Sequence, residues 1–368
     1  MLAALARPTR SHSSPEMARA LARVQAGVLR AVGAPAGAAP VVFVQAGSGT
    51  SAMEMAVANL VLPGQPLVVV SHGAFGERYA NLARARGALV EELNAEWGER
   101  VEADRLRSAL RRTGARVVTA THVDTSTGVA ADLAAYAEVV RESGALLVLD
   151  AVASLGGMPV QMEQLGVDVV VGASQKALAA PPGLAIVVAS QRALQHRVEQ
   201  GTSGGYFFDW PNWLNAMEDP TRGYFATLPT NLLVAAAVAV ELAEAEGWEE
   251  RFQRHRRGAR AWRQACVALG LTVVGRPGQL GCTVSAMRLP AGLESAPLLA
   301  AVAERGVLLG GGLGATRSSW LRAGHMGAVG LAELRLGVEA LESGLRRLGL
   351  GVGPGVETLE RGWAEQAA

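Results

Sequence analysis

The stretch Val167-Asp-Val-Val-Val-Gly-Ala-Ser-Gln-Lys-Ala-Leu178, followed by Pro181-Pro-Gly-Leu184, decides how the chain is read. Val167 to Val171 is a β-branched run of the kind that fills a strand buried on both faces. Gly172, Ala173 and Ser174 are small enough to let the backbone turn sharply ahead of Lys176. No acid lies between Val169 and Ile186, so the Lys176 ammonium has no local carboxylate and sits among apolar and small residues. Such desolvation favours the neutral amine, the form a Schiff-base lysine needs. A lone lysine after a strand is ordinarily a solvated one. A second stretch sets this one apart.

That stretch is Leu146-Leu-Val-Leu-Asp150, followed by Ala-Val-Ala-Ser-Leu-Gly-Gly157. An aspartate ends a continuous apolar strand. In open α/β sheets, ligands bind outside the carboxyl ends of the strands, which places Asp150 and Lys176 at one crevice. An acid and an unpaired lysine so placed suit pyridoxal phosphate: the lysine forms the imine and the acid keeps the pyridine nitrogen protonated.

The segments His122-Val-Asp-Thr-Ser-Thr-Gly128, Asp150 to Gly157 and Ser174-Gln-Lys-Ala-Leu178 with Pro181-Pro-Gly183 resemble the class V pyridoxal-phosphate-dependent aminotransferases, in particular the alanine–glyoxylate and serine–pyruvate or serine–glyoxylate branch. The likeness runs from about Arg7 to about Leu348. It implies fold type I, an α/β large domain with a mostly parallel sheet and a smaller C-terminal α+β domain. It also implies transamination between a small amino acid, alanine or serine, and a 2-oxo acid, glyoxylate or pyruvate.

The same resemblance assigns roles to residues. Ser48, Gly49 and Thr50 would form the phosphate cup, with Gln175 donating to it. Phe75 and Val152 would lie on opposite faces of the cofactor ring, and Thr125 near its phenolic oxygen. Tyr224 and Thr227, in Tyr224-Phe-Ala-Thr-Leu-Pro229, match an element that reaches the phosphate from the neighbouring subunit, which implies a homodimer with shared sites. Arg322 aligns with the arginine that takes the substrate α-carboxylate, a task suited to a guanidinium fork. Asp124 stands where the family usually carries glutamate, and His122 is assigned no catalytic step. The Pro-Gly-Pro segment that relatives carry ahead of a stretch like Arg10 to Pro15 is not in this sequence, which leads us to expect a more open substrate pocket or an earlier start.

Composition excludes several other classes. With 368 residues, 50% hydrophobic and 18% charged, the chain can bury a large core and divide into more than one domain. A net charge of +1 offers no electrostatic footprint for nucleic acid or an acidic membrane. The arginines from Arg251 to Arg263 recur at helical spacing and read as a solvated helix face. Cys266 and Cys282 lack metal-ligand spacing and read as structural thiols in a reducing compartment. The N-terminal apolar stretch is too short for a signal peptide, and Leu232 to Val240 falls short of a membrane span, so a cytoplasmic protein is expected.

Gly47-x-Gly49-x-x-Ala52 matches a relaxed dinucleotide fingerprint. The following strand, however, ends in Ser71 and His72 with no acid for a ribose hydroxyl, and no Walker pattern occurs. A desulfurase-like lyase would need a mobile-loop cysteine and usually a histidine beside the lysine, where this chain has Gln175. A non-catalytic relative would have no reason to keep Lys176, Asp150 and Arg322 together.

Along the chain, a helix from Met17 to Leu29 ends at the Ala/Gly/Pro-rich piece Ala34 to Pro40, and Ser51 with Glu54 reads as a capping box opening a helix to Leu60. Strands are expected at 41–44, 67–70, 89–92, 116–120, 145–149, 167–171 and 185–189, alternating with helices from residue 67 onward. The expected division is an N-terminal segment 1–15, a cofactor domain 16–245, a small domain 246–348 and a tail 349–368.

Overall fold

The computed structural model describes residues 1–34, 40–201, 205–222 and 224–365. Most of the Ala34–Pro40 piece, Gly223 and the last three residues lie outside the described residues. Seven strands form one sheet: β1 Val41–Ala46, β2 Pro66–Ser71, β3 Leu89–Asn94, β4 Val117–Thr121, β5 Leu146–Asp150, β6 Val169–Ala173 and β7 Leu184–Ala189, in the order β1-β7-β6-β5-β4-β2-β3. Pairs from β3 across to β6 are parallel, and β7 runs antiparallel to both β6 and β1. This is the mostly parallel α/β sheet expected from the alternation of elements. The runs Val117–Thr121, Leu146–Asp150, Val169–Ala173 and Leu184–Ala189 are buried at every residue, because helices cover both faces.

The two edges are protected differently. β3 carries Glu91 and Glu92 and is only partly buried, a charged edge that discourages further pairing. β1 is covered by the helix Trp210–Glu218, whose Trp210 stacks on Phe43 with centroids 5.4 Å apart. Gln25 locks that cover by donating to the Val42 carbonyl at 2.9 Å and the Met217 carbonyl at 2.7 Å.

The longer helices are α1 Pro15–Val32, α2 Gly49–Leu60, α3 Ala74–Ala85, α4 Ala103–Thr113, α5 Leu133–Ser143, α6 Gln191–Gln200, α7 Trp210–Glu218, α8 Thr230–Glu246, α9 Trp248–Ala268, α10 Ser295–Ala303, α11 Leu331–Arg347 and α12 Gly355–Ala364. A second, antiparallel sheet is built from β8 Thr272–Val273, β9 Val284–Arg288, β10 Gly310–Gly311 and β11 Trp320–Gly324, in the order β10-β11-β9-β8. Its residues Met287 and Leu321 share a separate core with Trp262, Leu298, Leu334, Leu341 and Leu359.

Two local readings are corrected, and one stretch left without assigned structure gains a helix. Helix α2 begins at Gly49 with Ser48 as its cap: the Ser51 hydroxyl accepts from the Ser48 N–H at 2.9 Å and donates to the Ser48 carbonyl at 2.8 Å. Glu54 instead pairs with Arg86 at 3.1 Å. The strand ahead of Lys176 continues through Gly172 and Ala173 to residue 173, so the turn starts at Ser174. Past residue 349 the chain forms α12, which buries Leu359 against the second core.

Helix α3 lies so close to the end of β2 that a Cβ on Gly76 would stand 2.5 Å from the Ser71 Cα, a backbone atom that cannot move aside. Gly76→Ala is therefore expected to cost about 1–3 kcal/mol through overpacking. Gly351→Ala, with nothing within 4 Å of the added carbon, should change stability by less than about 0.5 kcal/mol. Urea midpoints of the two variants test this, and equal midpoints would contradict the close packing of α3.

Candidate active site

Because β4, β5 and β6 are parallel, their carboxyl ends open on one crevice. Asp150 is the last residue of β5, in register with Thr121 on β4 and Val171 on β6, and is 3% exposed. Its Oδ1 accepts from the Val152 N–H at 3.0 Å. Burial pushes its carboxyl up to about 7, the nearby Asp124 adding to the rise while the Val152 bond and the Lys176 charge oppose it. The Lys176 charge is too weak a counterweight to offset the burial of this carboxyl.

Lys176 follows β6 in the turn 174–180 and makes no ion pair among the described residues. Burial lowers its pKa, the Arg322 guanidinium lowers it further, and Asp150 partly offsets both. Lys176 is also the only lysine in the 368 residues; every other cationic side chain is arginine or histidine. That count was legible in the sequence, and it is a stronger pointer than the apolar surroundings.

Arg322, on β11 of the second sheet, completes the group. Its Nε donates to the Gly311 carbonyl at 2.7 Å and its Nη1 to the Thr125 carbonyl at 2.8 Å. Backbone carbonyls thus aim the guanidinium without neutralising it, and no carboxylate pairs with it among the described residues. Burial depresses its pKa and Asp124 opposes that shift. Thr125, 7% exposed, is therefore placed beside Arg322 through its main chain.

An anion cup lies at the start of α2. The N–H groups of Gly49 and Thr50 have no intrahelical carbonyl to bond, and Ser48 and Thr50 are exposed. Gly49 is required there: a Cβ would come 2.6 Å from Cγ2 of Val152, in the loop after Asp150. Val152 and Gly49 thereby set the distance between the cup and the aspartate. Gln175 adjoins Lys176 and has its Oε1 buried without a partner.

Phe75 sits in the first turn of α3, half-buried, with the Arg78 guanidinium 4.7 Å from its ring centroid. Asp124 anchors that turn. Its Oδ2 accepts from the N–H of Phe75 at 2.9 Å and of Gly76 at 3.2 Å, and its Oδ1 accepts from the N–H and hydroxyl of Ser126. The aspartate thus caps α3, a role suited to a carboxylate at a helix N-terminus.

Tyr224 and Thr227 stand apart from this group. Tyr224 is 51% exposed with its ring edge-on to His12 at 4.3 Å, and Thr227 is exposed. His122 is buried, and burial lowers its pKa to about 4, which keeps it neutral. Cys266 and Cys282 are free thiols, and burial raises both, the opposite of what a nucleophilic cysteine needs.

The reading of Arg251 to Arg263 as a solvated face is corrected. Arg251 is 4% exposed; its Nη2 donates to the Ala177 carbonyl at 2.7 Å and its Nε to the Gly156 carbonyl at 2.9 Å. The helical spacing concealed it because an arginine that bonds main-chain carbonyls leaves no sequence pattern of partners.

Residues 2–316 match the family model described as Aminotransferase class-V. The chain is similar to the L-aspartate–glyoxylate aminotransferase of Paracoccus denitrificans, 33% identical over 98% of this chain and 92% of that one. It is also similar to alanine–glyoxylate aminotransferase 1 of Saccharomyces cerevisiae, 33% identical over 87% of this chain and 86% of that one. Among solved structures, an alanine–glyoxylate aminotransferase from Nostoc sp. superposes with a TM-score of 0.88 at 29% identity, covering 94% of this chain and 91% of that one. Pyridoxal phosphate, the cofactor of such enzymes, fits the residues present: a cup for an anion, a buried carboxyl in want of a cation, and one unpaired lysine.

The Asp150 shift has a sign that can be measured in cofactor-free protein. A carboxyl raised from 3.8 to about 7 contributes stability that is fully present below 3.8 and is lost as pH rises through about 7. Asp150→Asn removes that dependence. Between about pH 5 and about pH 8, the urea midpoint of wild-type protein should fall further than that of the variant. Parallel pH dependence would contradict the buried, uncompensated carboxyl.

Proposed function

Because the chain belongs to the class V aminotransferases, enzymes that depend on pyridoxal phosphate, we propose that it moves the amino group of alanine or serine to glyoxylate or pyruvate. The observation that carries this reading is the convergence of Lys176, Asp150 and Arg322: burial disfavours the charge on each, Lys176 feels the charges of both others and Asp150 that of Lys176, and no ion pair forms among them in the described residues. Glyoxylate as acceptor is supported by the names of the relatives, which share it while differing in donor.

Bound at this crevice, the cofactor supplies an aldehyde that condenses with amino groups and a ring that accepts electrons from the broken α-C–H bond. The rest of the work falls to the chain. Ser48, Gly49, Thr50 and Gln175 hold the phosphate. Phe75 and Val152 would hold the cofactor ring between them, and Thr125 would hold it at one edge. Asp150 supplies the negative charge that retains a proton on the ring nitrogen. Arg322 grips the α-carboxylate of the amino donor and so orients its Cα–H bond. Lys176, whose charged form burial and Arg322 disfavour, accepts the α-proton on Nζ and redelivers it. We place the enzyme in the cytoplasm as a homodimer in which Tyr224 and Thr227 of each protomer reach the partner's phosphate cup. Their exposure in the single chain supports this assignment.

The absorption spectrum tests the reading. Protein supplied with pyridoxal phosphate should be yellow, and L-alanine or L-serine should bleach the band, with glyoxylate or pyruvate restoring it. A colourless protein would overturn the proposal. Arg322→Ala should keep the colour while raising the KM for the amino donor roughly ten- to hundredfold, the loss of a charge-assisted bond worth about 1.5–3 kcal/mol. An unchanged KM would remove Arg322 from the substrate site.

A further inference from the structure

The turn that carries Lys176 is not self-sufficient. Ala179 adopts φ +61°, a left-handed conformation that a residue with a Cβ takes only when its surroundings impose it. Within the turn, the Ala179 N–H donates to the Lys176 carbonyl at 2.9 Å and the Ala180 N–H to the Ser174 carbonyl at 3.0 Å. From outside, Ser174 ties the start of the turn to Pro181 and Leu184, and Arg251 on α9 holds its middle through the Ala177 carbonyl.

Arg251 binds more than that turn. Its Nε holds Gly156, in the loop that leaves Asp150, and its Nη1 pairs with Glu246 Oε2 at 2.8 Å. Glu246, the last residue of α8, also accepts from Arg254. Arg254 in turn donates to the carbonyl of Gly327 at 2.9 Å and that of Val329 at 2.5 Å, in the chain leaving the Arg322 strand. His255 closes the set: its Nδ1 bonds the Arg251 carbonyl at 2.7 Å, and its Nε2 accepts from the Gly327 N–H at 2.9 Å. With its pKa lowered to about 4 by burial, His255 is neutral, which leaves Nε2 free to accept. One carboxylate, two guanidiniums and one imidazole thus grip the three segments that follow Asp150, Lys176 and Arg322.

We infer that Glu246, Arg251, Arg254 and His255 form a positioning clamp that sets the separation of the three reacting groups, with Arg251 serving the lysine and aspartate loops and Arg254 with His255 serving the arginine strand. Among the described residues, none of the bonds of the four goes to the side chain of Asp150, Lys176 or Arg322; they act through the main chain of the loops they bind. The division of labour follows from the donors: no nitrogen of Arg251 reaches the Gly327 segment, and none of Arg254 reaches Ala177 or Gly156. Glu246 couples the two halves. A buried arginine network that merely glued helices together would have no reason to end on these three loops.

The inference rests on the roles proposed above for Lys176, Asp150 and Arg322, and the test separates the two. Wild-type, Arg251→Met, Arg251→Lys and Arg254→Met proteins are titrated with pyridoxal phosphate by absorbance, assayed for KM and kcat with L-alanine and glyoxylate, and melted. Arg251→Met should weaken cofactor binding by about tenfold while leaving the KM of the cofactor-loaded protein within about twofold; Arg254→Met should do the reverse. Arg251→Lys, which keeps the charge beside Glu246 but cannot span two carbonyls, should show a smaller shift of the same kind, and it serves if the methionine variant does not fold. Variants that lose only thermal stability, or that change both constants in the same proportion, would overturn the clamp. Wild-type protein that takes up no cofactor would instead overturn the functional reading beneath it.

Discussion

A carboxyl, an amine and a guanidinium stand in one desolvated crevice without forming ion pairs with one another, and the rest of the structure serves that condition. Left to themselves, Asp150, Lys176 and Arg322 would neutralise in pairs and leave nothing to act on a ligand. The fold keeps them apart by mounting each on a separate rigid element: the end of β5, the turn after β6, and a strand of the second sheet. The consequences are a carboxyl raised to about 7 and a lysine whose ammonium is disfavoured. Each shift is what binding a cationic ring nitrogen and an aldehyde would exploit.

Asp124 shows how one residue adjusts several of these balances. Two of its four accepted bonds cap α3 at Phe75 and Gly76, and the other two hold Ser126, whose hydroxyl accepts from the Ala74 N–H. Its charge also raises Asp150 and supports the charge on Arg322. An aspartate in place of the glutamate common in relatives is therefore no loss here. The shorter side chain reaches the Phe75 and Gly76 N–H groups because a glycine at position 73 lets α3 start against it: a Cβ there would stand 2.3 Å from the Ser126 hydroxyl.

The parts of the site that the sequence exposed are those with local signatures. An apolar run ending in Asp150, a β-branched strand before Lys176 and a glycine turn before α2 each follow from a few adjacent residues, and the sheet obeyed the alternation that announced it. The helix start was misjudged because Ser48 and Ser51 can both cap and only the backbone path decides between them. Arg251 and Arg254 were hidden for a different reason. Their partners are main-chain carbonyls of distant loops, and a carbonyl has no letter in a sequence. α12 carried a readable signal in Val356, Leu359 and Trp363, spaced for one helical face, that the flanking glycines obscured.

The central claim is that Lys176 is the residue that joins the cofactor, and the composition makes it unusually direct to test. With one lysine in the chain, only its amine and the N-terminal amine can form an imine. Protein loaded with pyridoxal phosphate, reduced with borohydride and weighed intact should carry one pyridoxyl group, located by peptide mass on Lys176 and absent from Lys176→Arg. An unmodified wild-type chain, or a label that persists in the variant, would contradict the account.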